Sequence, residues 1–197
     1  MMKHEIEIEF KNMLTYEEFQ KVISYFKIKK QDFIKQENFY FDTPDFILAK
    51  HASALRIRCK NGIYELTLKQ PHQDGLLESN LSLTKKEAES FIEKQQLPES
   101  AQYVHDLLSS LHVKSNDLHL LGTLTTFRSE FDYKNGLLSL DQNFYLGKED
   151  FELEYEVKDK WKGKAIFSQL LDQLQIDKKP AKNKILRFFE AKYQNLC

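Results

Sequence analysis

Glycine and proline are scarce, at 6 and 4 of 197 residues. The chain holds neither a GxxxxGKS/T nor a GxGxxG phosphate loop. If it handles phosphates, it must do so with side chains. Cysteine is scarcer still, at 2. Cys59 falls in an apolar strand register with no basic neighbour on that face, and Cys197 is the last residue. No disulfide framework, CxxC clip or reactive thiol is expected from them. Neither sign of charge dominates: 29 basic residues face 30 acidic ones, for a formal net charge of -1. That balance argues against a duplex nucleic-acid binder, but not against a small anionic ligand, which needs only local positive charge. There is no apolar leader after a basic start, and no apolar run approaches the length of a membrane span. A cytoplasmic protein with no nucleic-acid or membrane partner is expected. The length suits a single domain over 1–197, and the oligomeric state is not readable.

Hydrophobic periodicity predicts strands near 4–11, 36–42, 53–60, 62–69, 76–83, 120–133, 137–145 and 151–158. Asn61-Gly62 and Asn135-Gly136 are hairpin turn signals. Thr15-Tyr16-Glu17-Glu18 and Thr84-Lys85-Lys86-Glu87 have the form of capping boxes. Apolar stripes predict helices behind both boxes and near 101–111, 164–174 and 184–193. Eight strands linked mainly by hairpins make an α+β fold and suffice to close an antiparallel barrel.

The informative feature is the chemistry of the strand faces. Glu5, Glu7, Glu9 and Lys11 share one face, opposite Ile6, Ile8 and Phe10. Arg56, Arg58 and Lys60 oppose Leu55, Ile57 and Cys59. Glu65, Thr67 and Lys69 form a third such face, and Arg128, Glu130 and Asp132 a fourth. Glu152, Glu154, Glu156 and Lys158 form a fifth. Alternation alone is what any half-solvated sheet produces. These faces are almost purely ionic, however, and the signs are segregated by strand, whereas a merely solvated face would mix them. Glu7 and Glu9 have Cα atoms ~6.7 Å apart at a rise of ~3.3 Å per residue, so both can reach one hard divalent cation. Arg56 and Arg58 are equally spaced, and guanidinium forks suit phosphate oxygens. Carboxylates for a metal beside cations for anionic oxygens are what phosphoryl transfer uses. So many charges cannot be buried dry; turned inward, they require a wet, ion-paired, open lumen. Pattern alone allows either direction. The helices favour inward, because their apolar stripes need the apolar strand faces as partners from outside.

Glu7-x-Glu9-x-Lys11 resembles the ExExK signature of the CYTH superfamily, the triphosphate tunnel metalloenzymes. Asn38-Phe39-Tyr40-Phe41-Asp42-Thr43-Pro44 is similar to that family's YxDT segment, Leu55-Arg56-Ile57-Arg58 to its LRxR strand, and Glu65-Leu66-Thr67-Leu68-Lys69 to its LTLK strand. Thr126-Phe127-Arg128 is similar to its TxR strand, and Asp141 with Phe151 to Glu156 to its Asp and ELExE strand. Lys182-Asn183-Lys184 resembles its closing segment. The order matches over nearly the whole chain. The resemblance implies an eight-stranded antiparallel barrel, a tunnel with a charged interior and helices outside. It implies Mg²⁺ or Mn²⁺ and a small-molecule triphosphate substrate. It further implies metal-side carboxylates at Glu7, Glu9, Asp141, Glu152 and Glu154, with the choice among Glu152, Glu154 and Glu156 open. Phosphate contacts are implied at Lys11, Arg56, Arg58, Lys69, Arg128, Lys182 and Lys184, and Tyr40 near the distal part of the substrate. Glu7, Glu9 and Lys69 form the implied catalytic set. A triphosphatase is expected first. A class IV-like adenylate cyclase or a non-enzymatic polyphosphate or nucleotide binder is the alternative. The fifth strand departs from the family by carrying only Glu78, with Asn80 and Ser82 on the same face.

His105, His112 and His119 recur every seven residues without metal-ligand spacing and are expected on the surface. Trp161 is expected to anchor a helix, and Phe188-Phe189 to pack in the interior.

Overall fold

The computed structural model describes residues 3–194, with side chains described through residue 192. Cys197 lies outside the described residues. In chain order the elements are β1 (Lys3–Leu14), α1 (Tyr16–Phe26), β2 (Ile34–Asp42), α2 (Ile47–Lys50), β3 (Ala54–Lys60), β4 (Ile63–His72) and β5 (Gly75–Leu83). There follow α3 (Lys85–Lys94), α4 (Gln102–Ser110), β6 (His119–Tyr133), β7 (Gly136–Tyr145), β8 (Lys148–Val157), α5 (Lys160–Gln173) and α6 (Lys184–Gln194). Short 3-10 turns lie at Lys30–Asp32 and Ser115–Asp117. The strands close into one antiparallel barrel in the order β1-β5-β4-β3-β2-β6-β7-β8. The α+β class and the eight strands agree with the sequence reading. Among the described residues no helix is long and apolar enough to cross a membrane.

Local chemistry sets most of the boundaries. Both capping boxes form: Thr15 Oγ1 accepts from Glu18 N while a Glu18 carboxylate oxygen accepts from Thr15 N at 2.7 Å, and Thr84 and Glu87 do the same. The turn at Asn61-Gly62 has positive φ at both positions (52° and 76°), as a type I′ hairpin requires. The second hairpin differs from expectation. Its turn is Lys134-Asn135, at φ 43° and 63°, and Gly136 pairs with Tyr133 as the first residue of β7. Gly136 is needed there for space: a Cβ would lie 2.5 Å from the Tyr155 ring. β8 begins three residues earlier than expected, because Leu146-Gly147 forms another tight turn with positive φ. α5 begins four residues early, where Asp159 caps Trp161 N and Lys162 N at 3.1 and 3.0 Å. Trp161 is 80% exposed. It does not anchor the helix, since the cap and the close seat of Gly163 on Val157 do so instead.

The chain divides into two compact units, here called unit 1 (Met1–Ile6 and Glu37–Leu124) and unit 2 (Glu7–Gln36 and Thr125–Cys197). In unit 1 the apolar faces of β2, β3, β4 and β5 pack Phe41, Leu55, Ile57, Leu66 and Leu68 against Phe91 of α3 and Leu108 of α4. In unit 2 the apolar faces of β1, β7 and β8 pack Leu140, Leu153 and Tyr155 against Phe19 and Val22 of α1 and Phe167 and Leu170 of α5. In each unit the helices cover the apolar strand faces, and the ionic side chains take the opposite, inner face. Phe188 and Phe189 are buried, as expected.

Candidate functional site

Antiparallel register assembles the ionic face of unit 2. Lys11 stands opposite Glu154 across β1 and β8, and Asp141 opposite Glu152 across β7 and β8. Arg128 stands opposite Asp141 across β6 and β7. Carboxylate oxygens of Asp141, Glu152 and Glu154 converge within 4.8 Å of one another. Asp141 and Glu152 are fully buried and Glu154 nearly so. Glu156, which follows on the same strand face, is exposed and pairs in register with Glu9. Of the three β8 carboxylates left open by the sequence, Glu152 and Glu154 are the two that converge with Asp141.

Burying three carboxylates requires compensation, since each ion costs several kcal/mol without it. Four cations supply it. Lys184 Nζ lies 2.8 Å from Asp141, 2.9 Å from Glu152 and 2.7 Å from Glu154. Arg128 forks onto Asp141 through Nε (2.7 Å) and Nη2 (2.6 Å), and Nη2 also reaches Glu154 at 2.5 Å. Lys11 joins Glu154 at 3.1 Å and Glu9 at 2.8 Å. Arg187 donates to Glu152 at 2.5 Å and lies 3.4 Å from Asp150. The acidic cluster is therefore ion-paired, as buried charge demands, but closed from solvent rather than open.

The electrostatics follow from this pairing. Burial pushes the Glu154 carboxyl up, but Lys11, Lys184 and Arg128 more than offset it and hold it well below the usual range. For Asp141, burial is likewise overcome by Arg128 and Lys184, and the net direction is down. For Glu152 burial wins over Lys184, and its carboxyl is pushed up. Burial disfavours the charge on Lys11, Arg128 and Lys184, yet the neighbouring carboxylates keep all three protonated above their usual ranges.

Three oxygen-donor carboxylates within one ion's reach suit a hard divalent cation. One atom fits that role in particular. Glu152 Oε1 is buried and has no hydrogen-bond partner among the described residues, although buried carboxylate oxygens are normally satisfied. A divalent cation therefore fits the residues present.

Unit 1 carries its ionic face on β3, β4 and β5. Arg58 Nη2 donates to Glu65 Oε1 at 2.6 Å across β3 and β4. Lys69 pairs with Glu78 across β4 and β5. Asn80 fills the thinned part of β5: it accepts from Thr67 at 2.7 Å and donates to Glu5 at 3.3 Å and Glu78 at 3.4 Å. An amide and a hydroxyl thus pair across β4 and β5, two residues from the Lys69–Glu78 ion pair. Arg56 is half-buried on the same face, opposite Thr67. Tyr40 is buried and absent from the apolar cluster that takes Phe39 and Phe41, which places it on the face of Asn38 and Asp42. Asp42 has a structural task. Its carboxylate accepts from Thr43 N, Leu48 N and Ala49 N at 2.7–2.9 Å and so holds the start of α2.

The structure thus brings Lys11, Arg128, Asp141, Glu152, Glu154 and Lys184 together. Glu9 joins them through Lys11. Glu7 and Glu9 stand outside the group of three convergent carboxylates among the described residues. Lys182 is not part of the cluster: it is exposed and pairs with Glu190 at 2.5 Å. Arg187 was missed from the sequence, although its spacing of three from Lys184 puts both cations on one face of α6.

Residues 5–189 match the CYTH domain family. The chain belongs to the CYTH family. It is 43% identical over 195 residues to a Bacillus subtilis protein provisionally named triphosphatase YjbK, covering 99% of this chain and 100% of that one. A solved Bacillus halodurans protein, provisionally named an adenylate cyclase, is 44% identical with a TM-score of 0.90, covering 94% of this chain and 98% of that one. A Hippeastrum protein described as having a dominant triphosphatase activity shares the fold at 21% identity and a TM-score of 0.78, covering 94% of this chain and 96% of that one. The family implies a divalent metal, and this CYTH chain has a buried acidic cluster able to hold one.

Proposed function

We propose that this CYTH protein is a Mg²⁺- or Mn²⁺-dependent triphosphatase acting on inorganic triphosphate or a nucleoside or organic triphosphate, with 1–197 working as one domain. The observation that carries the reading is the convergence of Asp141, Glu152 and Glu154 within 4.8 Å, ringed by cations and with one buried carboxylate oxygen left unpartnered. Those three carboxylates would hold the cation, with Glu7 and Glu9 as further carboxylates on the β1 face. When bound, the cation would neutralise phosphate oxygens and so favour attack on phosphorus. The chain's own cations do the rest of the binding. In unit 2, Lys11, Arg128 and Lys184 supply ammonium and guanidinium donors; in unit 1, Arg56, Arg58 and Lys69 supply the same. Glu9, held by Lys11 at 2.8 Å, is the candidate to orient the attacking water and take its proton, with Glu7 on the same face. Tyr40 is assigned to the distal part of the substrate.

The name triphosphatase carried by the 43%-identical relative supports hydrolysis. The name adenylate cyclase carried by the 44%-identical one supports the second reading. A product analysis separates them. The protein is incubated with inorganic triphosphate and, separately, with ATP, each with Mg²⁺ or Mn²⁺. Release of free phosphate is the expected result. Cyclic AMP with pyrophosphate would replace the triphosphatase by a cyclase, and tight binding without turnover would replace it by a binder.

A further inference from the structure

Four cations compensate the acidic cluster, but they are not equivalent. Arg128 grips Asp141 and Glu154, Lys11 touches Glu154, and Arg187 touches Glu152. Among the described residues, Lys184 alone contacts all three carboxylates, at 2.7–2.9 Å. The ammonium donates to Glu152 and Glu154 and is ion-paired with Asp141. The nitrogen therefore sits where the three oxygen donors converge, the position a small divalent cation would need. Such a cation binds oxygens at ~2.0–2.1 Å, closer than the ammonium's approach, so the two cannot share that position. Lys184 is also the first residue of α6. Its charge rides on a flexible four-carbon stem that can swing without unseating the helix, while Arg187, one turn on, keeps its own hold on Glu152 Oε2.

We propose that Lys184 is a resident counter-ion that competes with the divalent cation for Asp141, Glu152 and Glu154, and that cation binding releases its ammonium. This rests on the reading that these carboxylates hold the cation. Glu152 Oε1, buried and unpartnered, is the oxygen available before Lys184 leaves. Displacement also gives Lys184 two successive roles. Its donors are committed to carboxylates in the closed cluster, and once released they are available to phosphate oxygens. The competition reverses the usual expectation for a residue packed in a site, because removing the side chain should tighten cation binding.

The test uses the full-length protein freed of metal by chelation, with Mn²⁺ titrated in and its free signal followed by electron paramagnetic resonance. Lys184→Met keeps the stem and removes the charge. It is expected to bind Mn²⁺ about tenfold tighter than the unaltered protein, corresponding to the loss of one buried charge contact. Lys184→Arg keeps the charge and forks it onto two oxygens, and is expected to bind Mn²⁺ more weakly. A residue with a merely structural role would weaken binding in both. Equal or weaker binding by Lys184→Met, with the unaltered protein binding normally, overturns the competition alone. Absence of Mn²⁺ binding in all three proteins overturns the cation site and the competition with it. If Lys184→Met lacks the native circular dichroism spectrum, Lys184→Gln takes its place, with tighter Mn²⁺ binding expected and equal or weaker binding overturning the proposal.

Discussion

The ionic faces of the two units are built from the same residue types but wired differently. In unit 1 charges pair across neighbouring strands, Arg58 with Glu65 and Lys69 with Glu78. The side chains of Arg58 and Glu65 keep 27% and 30% of their exposure. In unit 2 three carboxylates share four cations, and two of those carboxylates are wholly buried. A half-exposed pair is worth little, because water competes for both partners and the side chains lose freedom. A buried network is different, since removing any member leaves the others charged and unsolvated. Unit 2 should therefore be fragile to single substitutions, and the partly exposed Arg58–Glu65 pair of unit 1 tolerant of them.

The sharpest way to break this contrast is Asp141→Asn. It strips Arg128 of its fork partner inside the cluster and should cost about 3–5 kcal/mol of stability, the usual cost of breaking a buried pair, measured by urea unfolding. A loss below about 1 kcal/mol, the ceiling for exposed pairs, would erase the difference between the units. Next comes Glu9→Gln, at the margin of the unit 2 network. Metal-dependent turnover should be abolished while the unfolding midpoint stays near that of the unaltered protein, and undiminished turnover would remove Glu9 from the site. Glu65→Gln in unit 1 should change stability by no more than about 1 kcal/mol, and differential scanning calorimetry checks this directly.

An effect of similar size sits outside both faces. Glu18 closes the α1 capping box and pairs with Lys179 at 2.8 Å. Burial pushes its carboxyl up, but Lys179 and the Thr15 backbone bring it below the usual value. A depressed carboxyl stabilises the fold above its unfolded value, and that stability is lost as pH falls through the folded one. Glu18→Ala should therefore cost about 1 kcal/mol at neutral pH. The gap from the unaltered protein should close as melting is followed below the ordinary carboxylate range of about 4. A gap independent of pH would mean that the charge contributes nothing.

Much of this was legible in the sequence because strand alternation and hairpin chemistry are local. Period-two charge on β1, β3, β4 and β8 gave the faces, and Thr15-Glu18 and Thr84-Glu87 gave the helix starts. What escaped depended on contacts distant in sequence. Glu152, Glu154 and Glu156 are equivalent by pattern and are separated only by burial against Asp141 and α6. The role of Arg187 was hidden because neighbouring Phe188-Phe189 reads as packing, and nothing local says that α6 delivers cations to β8. Lys182 has the right charge, but its partner Glu190 lies further along the same segment. The turn at Leu146-Gly147 was missed because leucine is a poor signal for positive φ.

The central claim is that the buried carboxylates of unit 2 form the cation site, and Glu152→Gln tests it most directly. This substitution keeps the shape of the side chain and removes the one carboxylate charge in the cluster for which burial outweighs the neighbouring cations, so the fold should tolerate it better than the loss of Asp141. Equilibrium titration with Mn²⁺ should show binding at least about tenfold weaker than in the unaltered protein, the range typical when a metal site loses a supporting group. Unchanged Mn²⁺ affinity in a folded Glu152→Gln protein would contradict the account.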